Sequence, residues 1–277
     1  MRGPVTRRAP TRHRGWIRNL APLIVASVFL WLELLPRGRH TTSHSTATCA
    51  GVKHAVFINR DARTDRRAQI ESTLERARIR ATRIDAVEVF TDKSVLSSCW
   101  DGGSYKCAGQ VGCQRSHLKA LTYAMLNQWE HVAVFEDDFE WQKHTDVGKV
   151  QCVLSQLMTA VPDWDFIAVS LNIQNSTVVM KDRVQIGRST VSSIVKINQA
   201  LATHGYLIRA RAYERLYEVL ENCNITGDLF TAIDTCWQRL QLELNWYGLR
   251  PQLGTQGESY SDIENRIVSY TKEYNIT

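Results

Sequence analysis

His131-Val132-Ala133-Val134-Phe135-Glu136-Asp137-Asp138 sets an unbroken apolar run directly against three acids. A run of strand length without polar alternation belongs to a strand covered on both faces, as in a parallel sheet. Upstream, Ser116–Trp129 places Leu118, Leu121, Met125 and Leu126 on one helical face, with Ser116 as its N-cap. Farther out, Ala55-Val56-Phe57-Ile58 within His54–Asn59 predicts a second buried strand, and Arg66–Ile79 carries Ile70, Leu74 and Ala77 at helical spacing. Arg83–Val89 returns to strand character, and residues 97–110 read as a Cys- and Gly-rich loop. Asp165–Leu171 reads as a further strand and Ala212–Leu220 as a further helix. Strands alternating with helices predict an α/β fold, a mostly parallel central sheet flanked by helices.

The chain has 277 residues and a formal charge of +6, but that charge is unevenly placed. Residues 1–48 hold eight arginines against the single acid Glu33, which leaves the rest close to neutral. Nucleic-acid binding would need a basic stripe on the folded part, so no nucleic-acid partner is expected. Leu20–Leu35 is apolar apart from Pro22, Ser27 and Glu33, with Trp16 and Trp31 near its ends. It reads as a signal-anchor helix, and the excess of arginines before it places the amino terminus in the cytosol. A cleaved signal with a site near Ala47–Ala50 would deliver the domain to the same side. The expected organisation is a cytosolic basic tail over 1–19, a transmembrane anchor over 20–35, a stem over 36–51 and one folded domain over 52–277.

Other features agree with a lumenal site. Asn175-Ser176-Thr177, Asn224-Ile225-Thr226 and Asn275-Ile276-Thr277 are glycosylation acceptor triplets. Seven cysteines without a C-x-x-C pair suit disulfides in an oxidising compartment. Cys99–Cys107 and Cys223–Cys236 are the shortest candidate pairings, and Cys113 is the candidate odd thiol. Cys99, Cys107, Cys113 and His117 match no common zinc spacing. The chain ends without an ER-retrieval tetrapeptide, so the expected residence is the Golgi membrane rather than the ER, single-pass and type II.

In open α/β sheets ligands gather beyond the carboxyl ends of strands, where Glu136, Asp137 and Asp138 fall. Continued strand geometry would send Glu136 and Asp138 to one side and Asp137 to the other. Adjacent carboxylates repel, and a divalent cation removes that cost; oxygen donors favour Mn²⁺ or Mg²⁺, shared with a diphosphate. The same triplet could be a plain solvated turn, but it lies between a buried strand and the bulky Phe139 and Trp141. Motifs of P-loop, Rossmann, α/β-hydrolase and HExxH chemistry are absent, which leaves metal-assisted transfer or hydrolysis.

Several segments together resemble glycosyltransferase family 25, the family of bacterial lipooligosaccharide and procollagen galactosyltransferases. They are Phe57-Ile58-Asn59-Arg60-Asp61 with Asp65-Arg66-Arg67, Arg83-Ile84-Asp85-Ala86-Val87, Gly109 to Leu118, Phe135 to Asp138, Gly205-Tyr206-Leu207-Ile208 and Ser261-Asp262-Ile263. Arg60 stands where the family usually has leucine. The resemblance implies a GT-A type nucleotide-sugar fold, a UDP-sugar donor (usually UDP-galactose), inversion at the anomeric carbon and a hydroxyl acceptor on a glycan or glycoprotein. It also implies metal ligation by Glu136 and Asp138 and donor binding by Asn59, Asp61, Arg66, Ala86, Gly112, Ser116, His117 and Asp137. Arg66 would meet phosphate or uracil, and Ser116-His117 would present a helix amino end to an anion. Asp234 is the candidate base, with Asp228 and Glu258 as competitors, and Pro251–Ile263 is a candidate flap over the donor. The alternative is a catalytically inactive family member serving as a binding or adhesion module.

Overall fold

The computed structural model describes Cys49 and residues 51–99, 105–225, 232–261 and 266–268. The expected tail and anchor, the Asn275 triplet, Thr226, Asp228 and Asp262-Ile263 lie outside the described residues. Among the described residues no helix is long and apolar enough to cross a membrane.

The first half alternates as expected: β1 (Ala55–Asn59), α1 (Thr64–Arg76), β2 (Ala81–Asp85), α2 (Lys93–Ser98), α3 (Tyr105–Leu126), β3 (His131–Glu136) and the short β4 (Phe139–Trp141). Then follow α4 (Val150–Ala160), the long β5 (Phe166–Gln185) and β6 (Val191–Arg209), α5 (Tyr213–Glu221), α6 (Ile233–Cys236), α7 (Leu240–Glu243), β7 (Trp246–Arg250), β8 (Gly254–Gln256), β9 (Ser259–Ser261) and β10 (Arg266–Val268). The main sheet runs β2-β1-β3-β6-β5-β7. β1 is parallel to β2 and β3, β5 is parallel to β7, and β6 is the one reversed strand of the six.

The apolar runs lack alternation because each face of the sheet meets a different core. Val56, Ile58, Val132 and Val134 pack with Ala120, Leu121 and Ala124 of α3 on one side. Ala55, Phe57, Ala133 and Phe135 pack with Ile70 and Leu74 of α1 and Leu154 and Leu157 of α4 on the other. Odd and even positions of one strand thus feed opposite cores.

Two local expectations are corrected. α3 does not start at Ser116; it runs 22 residues from Tyr105, so Ser116 and His117 sit in its interior and offer no free helix terminus. The loop expected over residues 97–110 is helical from Tyr105 onward, and Gly112 in that helix meets another backbone closely, since a Cβ there would lie 2.6 Å from the Val87 carbonyl oxygen. The proposed flap is also partly pinned: Gly254–Gln256 pairs antiparallel with Phe139–Trp141, and Thr255 and Gln256 are buried.

Disulfides join Cys99–Cys107, Cys223–Cys236 and Cys49–Cys152, leaving Cys113 free. Cys49 fell in the expected stem, yet its bond to Cys152 and the buried Gly51 bring the end of that stem into the folded body. The Cys49–Cys152 bond spans 103 residues, the longest loop of the three. Cys152→Ser is expected to cost about 2–4 kcal/mol of unfolding free energy, read as a lowered denaturant midpoint against wild type.

Candidate active site

A cavity of about 390 Å³ opens beyond the carboxyl ends of β1 and β3, walled by α3, β6 and the start of α6. Asn59, Arg66, Ala86, Gly112, Ser116, His117, Glu136, Asp137, Asp138 and Asp234 all line it. Asp61 does not: it is exposed and ion-paired with Arg83 at 2.5 Å. The competing acid Glu258 is also exposed and outside the lining.

The three acids divide their work. The carboxylate of Glu136, the last residue of β3, accepts from His117 Nε2 at 3.3 Å and from the Thr203 hydroxyl. With Nε2–H donating there, His117 Nδ1 accepts from the Tyr206 hydroxyl at 2.8 Å. Burial pushes the Glu136 carboxyl up, but the His117 hydrogen bond, the fields of His204 and His117 and the Thr203 hydroxyl prevail and hold it down to about 2. Asp137 turns the other way, accepting from Asn59 Nδ2 at 2.8 Å and Arg66 Nη1 at 2.8 Å. Arg66 also donates to the Tyr260 carbonyl at 2.8 Å, so it is a buried clamp between chain segments rather than a surface charge at a helix start. Asp138 Oδ2 accepts from Gln256 Nε2 at 3.0 Å, while its buried Oδ1 has no hydrogen-bond partner among the described residues.

Thr203 and His204 went unnoticed in the sequence. Ser170 of β5 pairs with Gly205 of β6, but Asn172 pairs with Leu201, so three β6 residues face one of β5. This bulge, with Ala202 at φ 66°, re-aims Thr203 and His204 into the cavity. It gathers ligand atoms of Glu136, Asp138 and His204 within 4.8 Å of one another. Two carboxylates and an imidazole, with one buried carboxylate oxygen still unsatisfied, fit a divalent cation. His204 precedes Gly205-Tyr206-Leu207-Ile208 as a polar interruption in an apolar strand; that interruption was the available signal.

Asp137 carries a measurable consequence. Burial, reinforced by neighbouring Asp138, outweighs Arg66 and Asn59 and pushes its pKa from 3.8 up to about 6. The raised folded pKa means that its stabilising contribution is complete below pH 3.8 and is lost as pH rises through about 6. In metal-free protein, wild type should therefore lose up to about 3 kcal/mol relative to Asp137→Asn between pH 4 and pH 6.5. Paired denaturant titrations in chelator at the two pH values check this; a pH-independent difference between the proteins would contradict it.

No curated protein matches the chain. Among solved structures, a glycosyltransferase involved in glycosylation of the major capsid of PBCV-1 is 8% identical, with TM-score 0.44, covering 76% of this chain and 96% of that one. UDP-glucose pyrophosphorylase complexed with UDP-glucose is 12% identical, with TM-score 0.37, covering 81% of this chain and 97% of that one. The inositol-1-phosphate CTP transferase from T. maritima is 12% identical, with TM-score 0.33, covering 80% and 75%. The sequence profile of glycosyltransferase family 25 (LPS biosynthesis protein) matches residues 53–237. That span runs from before β1 to just beyond α6 and contains the acids, the α3 face and the β6 bulge, so the chain belongs to glycosyltransferase family 25.

Proposed function

We propose that this glycosyltransferase is a metal-dependent, inverting enzyme that moves galactose from UDP-galactose to a hydroxyl of a glycan or glycoprotein. The observation that carries this reading is the convergence of Glu136, Asp138 and His204 on one cavity, with Asp138 Oδ1 left unsatisfied. Those three residues would hold Mn²⁺ or Mg²⁺, which when bound supplies positive charge against the diphosphate of the leaving UDP. Arg66 and Asn59 fix Asp137 at the cavity wall, and Gly112 lets the Val87 backbone approach α3 closely beside the nucleotide region. Asp234, which lines the cavity from α6, takes the proton of the acceptor hydroxyl as it attacks the anomeric carbon on the face away from UDP. Three disulfides support a lumenal residence, reached through the amino-terminal anchor in a type II arrangement in the Golgi membrane.

The test is a panel of UDP-sugars offered with Mn²⁺, scored by release of UDP and by thermal stabilisation. Selective response to UDP-galactose is expected. Response to UDP-glucose instead would keep the chemistry and replace the sugar; indifference to every UDP-sugar, with or without metal, would refute the proposal.

A further inference from the structure

The cavity contains a second cluster of donor atoms, and its chemistry differs from the first. Cys113 and His117 are four apart on α3, so both face the cavity from one side of the helix. Their Sγ and ring nitrogen lie with a Glu136 carboxylate oxygen inside a 4.8 Å group. Cys113 is the free thiol among the chain's seven cysteines; burial and the nearby Glu136, Asp234 and Asp138 push its pKa up, a cost that a bound cation must offset. Two metal bonds of about 2.1 Å at a tetrahedral angle separate their donor atoms by about 3.4 Å. His117 Nε2 and Glu136 Oε1 already stand 3.3 Å apart.

From this geometry we infer that Cys113, His117 and Glu136 form a thiophilic cation site of the Zn²⁺ class, which shares Glu136 with the oxygen-rich set of Glu136, Asp138 and His204. With a thiolate in place of one carboxylate, this set selects a softer ion than two carboxylates and an imidazole do, leaving the fourth position to water. On binding, the Cys113 thiol releases its proton to solvent and the metal replaces the proton on His117 Nε2. His117 then carries its proton on Nδ1, and the Tyr206 O–H rotates off that nitrogen so that its oxygen, 2.8 Å away, accepts from Nδ1–H as the outer partner of a metal-bound imidazole. Glu136 cannot serve both ions fully, so Zn²⁺ would act as a competitive inhibitor of the hard cation. The inhibitory half rests on the proposed metal-dependent transfer; the site itself does not.

Cobalt tests the site directly, because a thiolate ligand gives Co²⁺ a strong near-ultraviolet charge-transfer band. Co²⁺ added to the metal-free full chain should produce that band, Zn²⁺ should erase it, and Cys113→Ser and Cys113→Ala should lack it. Absence of the band in folded wild-type protein, or its persistence in both variants, would overturn the assignment. In the Mn²⁺-supported reaction, the Zn²⁺ concentration for half-inhibition should rise about tenfold or more in Cys113→Ser, each protein scaled to its own rate without Zn²⁺. Equal Zn²⁺ sensitivity would overturn the competition. If no UDP-sugar is turned over at all, the proposed function falls while the cobalt band still decides the site.

Discussion

Asp138→Asn is expected to lower glycosyl transfer by about a hundredfold to a thousandfold, with the fold retained. The retained fold follows from what Asp138 touches. Its Oδ2 accepts from Gln256 Nε2, a bond that an asparagine carbonyl oxygen can also make. Its Oδ1 makes no hydrogen bond to lose. Neutralising the side chain also removes repulsion against Asp137, whose carboxyl is pushed up partly by Asp138. Against this stands Arg66, whose Nη1 lies 3.7 Å from Asp138 Oδ2 and loses that ion pair, so the metal-free variant should melt close to the wild-type temperature. What it loses is ligand-linked stability. Wild type with Mn²⁺ and UDP at about a hundred times their dissociation constant should gain about 2.7 kcal/mol, and the variant almost none. Calorimetry with and without Mn²⁺ separates this from plain misfolding, and full activity in the variant would remove Asp138 from the metal set.

The parts of this site that could be read from sequence are those fixed by local covalent order. Glu136, Asp137 and Asp138 follow an apolar strand, and an apolar strand end in an α/β sheet has only a few places to be. The two short-range disulfides were equally local, at separations of 8 and 13 residues. Cys49–Cys152 was not, because its partners meet only after β1 and α4 have taken their places on the sheet. The start of α3 was misread for a related reason. Gly109 and Gly112 lower helix propensity by about 1 kcal/mol each, yet at Gly112 close contact with Val87 rewards the absence of a Cβ.

Long-range register accounts for what was missed. Asp165–Leu171 was legible as a strand because both its faces are covered, but β5 continues to Gln185 as a largely exposed arm paired with β6. Val178 and Val179 suit a strand, yet both are exposed, so the arm lacks the regular apolar alternation that a covered face imposes. The bulge that presents Thr203 and His204 depends on how that arm registers with β6, so the third residue of the candidate cation site is brought there only in the folded pairing. The acids were legible from their place at a strand end and Asp234 from its late position in such folds, but neither reading supplied the bulge.

Asp234→Asn should lower kcat by about a hundredfold to ten-thousandfold while leaving donor affinity unchanged. The choice of asparagine matters because Asp234 has two candidate duties. Its Oδ2 accepts the Ala202 N–H at 2.9 Å, and Ala202 holds a left-handed φ of 66° at the bulge that aims Thr203 and His204. A residue needed only to steady that bend would act on the cavity at second hand. Asparagine keeps an acceptor oxygen for the Ala202 N–H but cannot take a proton from an acceptor hydroxyl. Alanine removes both, leaving the Ala202 amide unsatisfied at a cost of about 1–3 kcal/mol. If Asp234 is the base, the two variants share the loss of turnover and differ in stability and metal affinity, with asparagine close to wild type in both. If asparagine turns over within a few-fold of wild type while alanine fails, Asp234 is a positioning residue for the bulge and the proton leaves by another route.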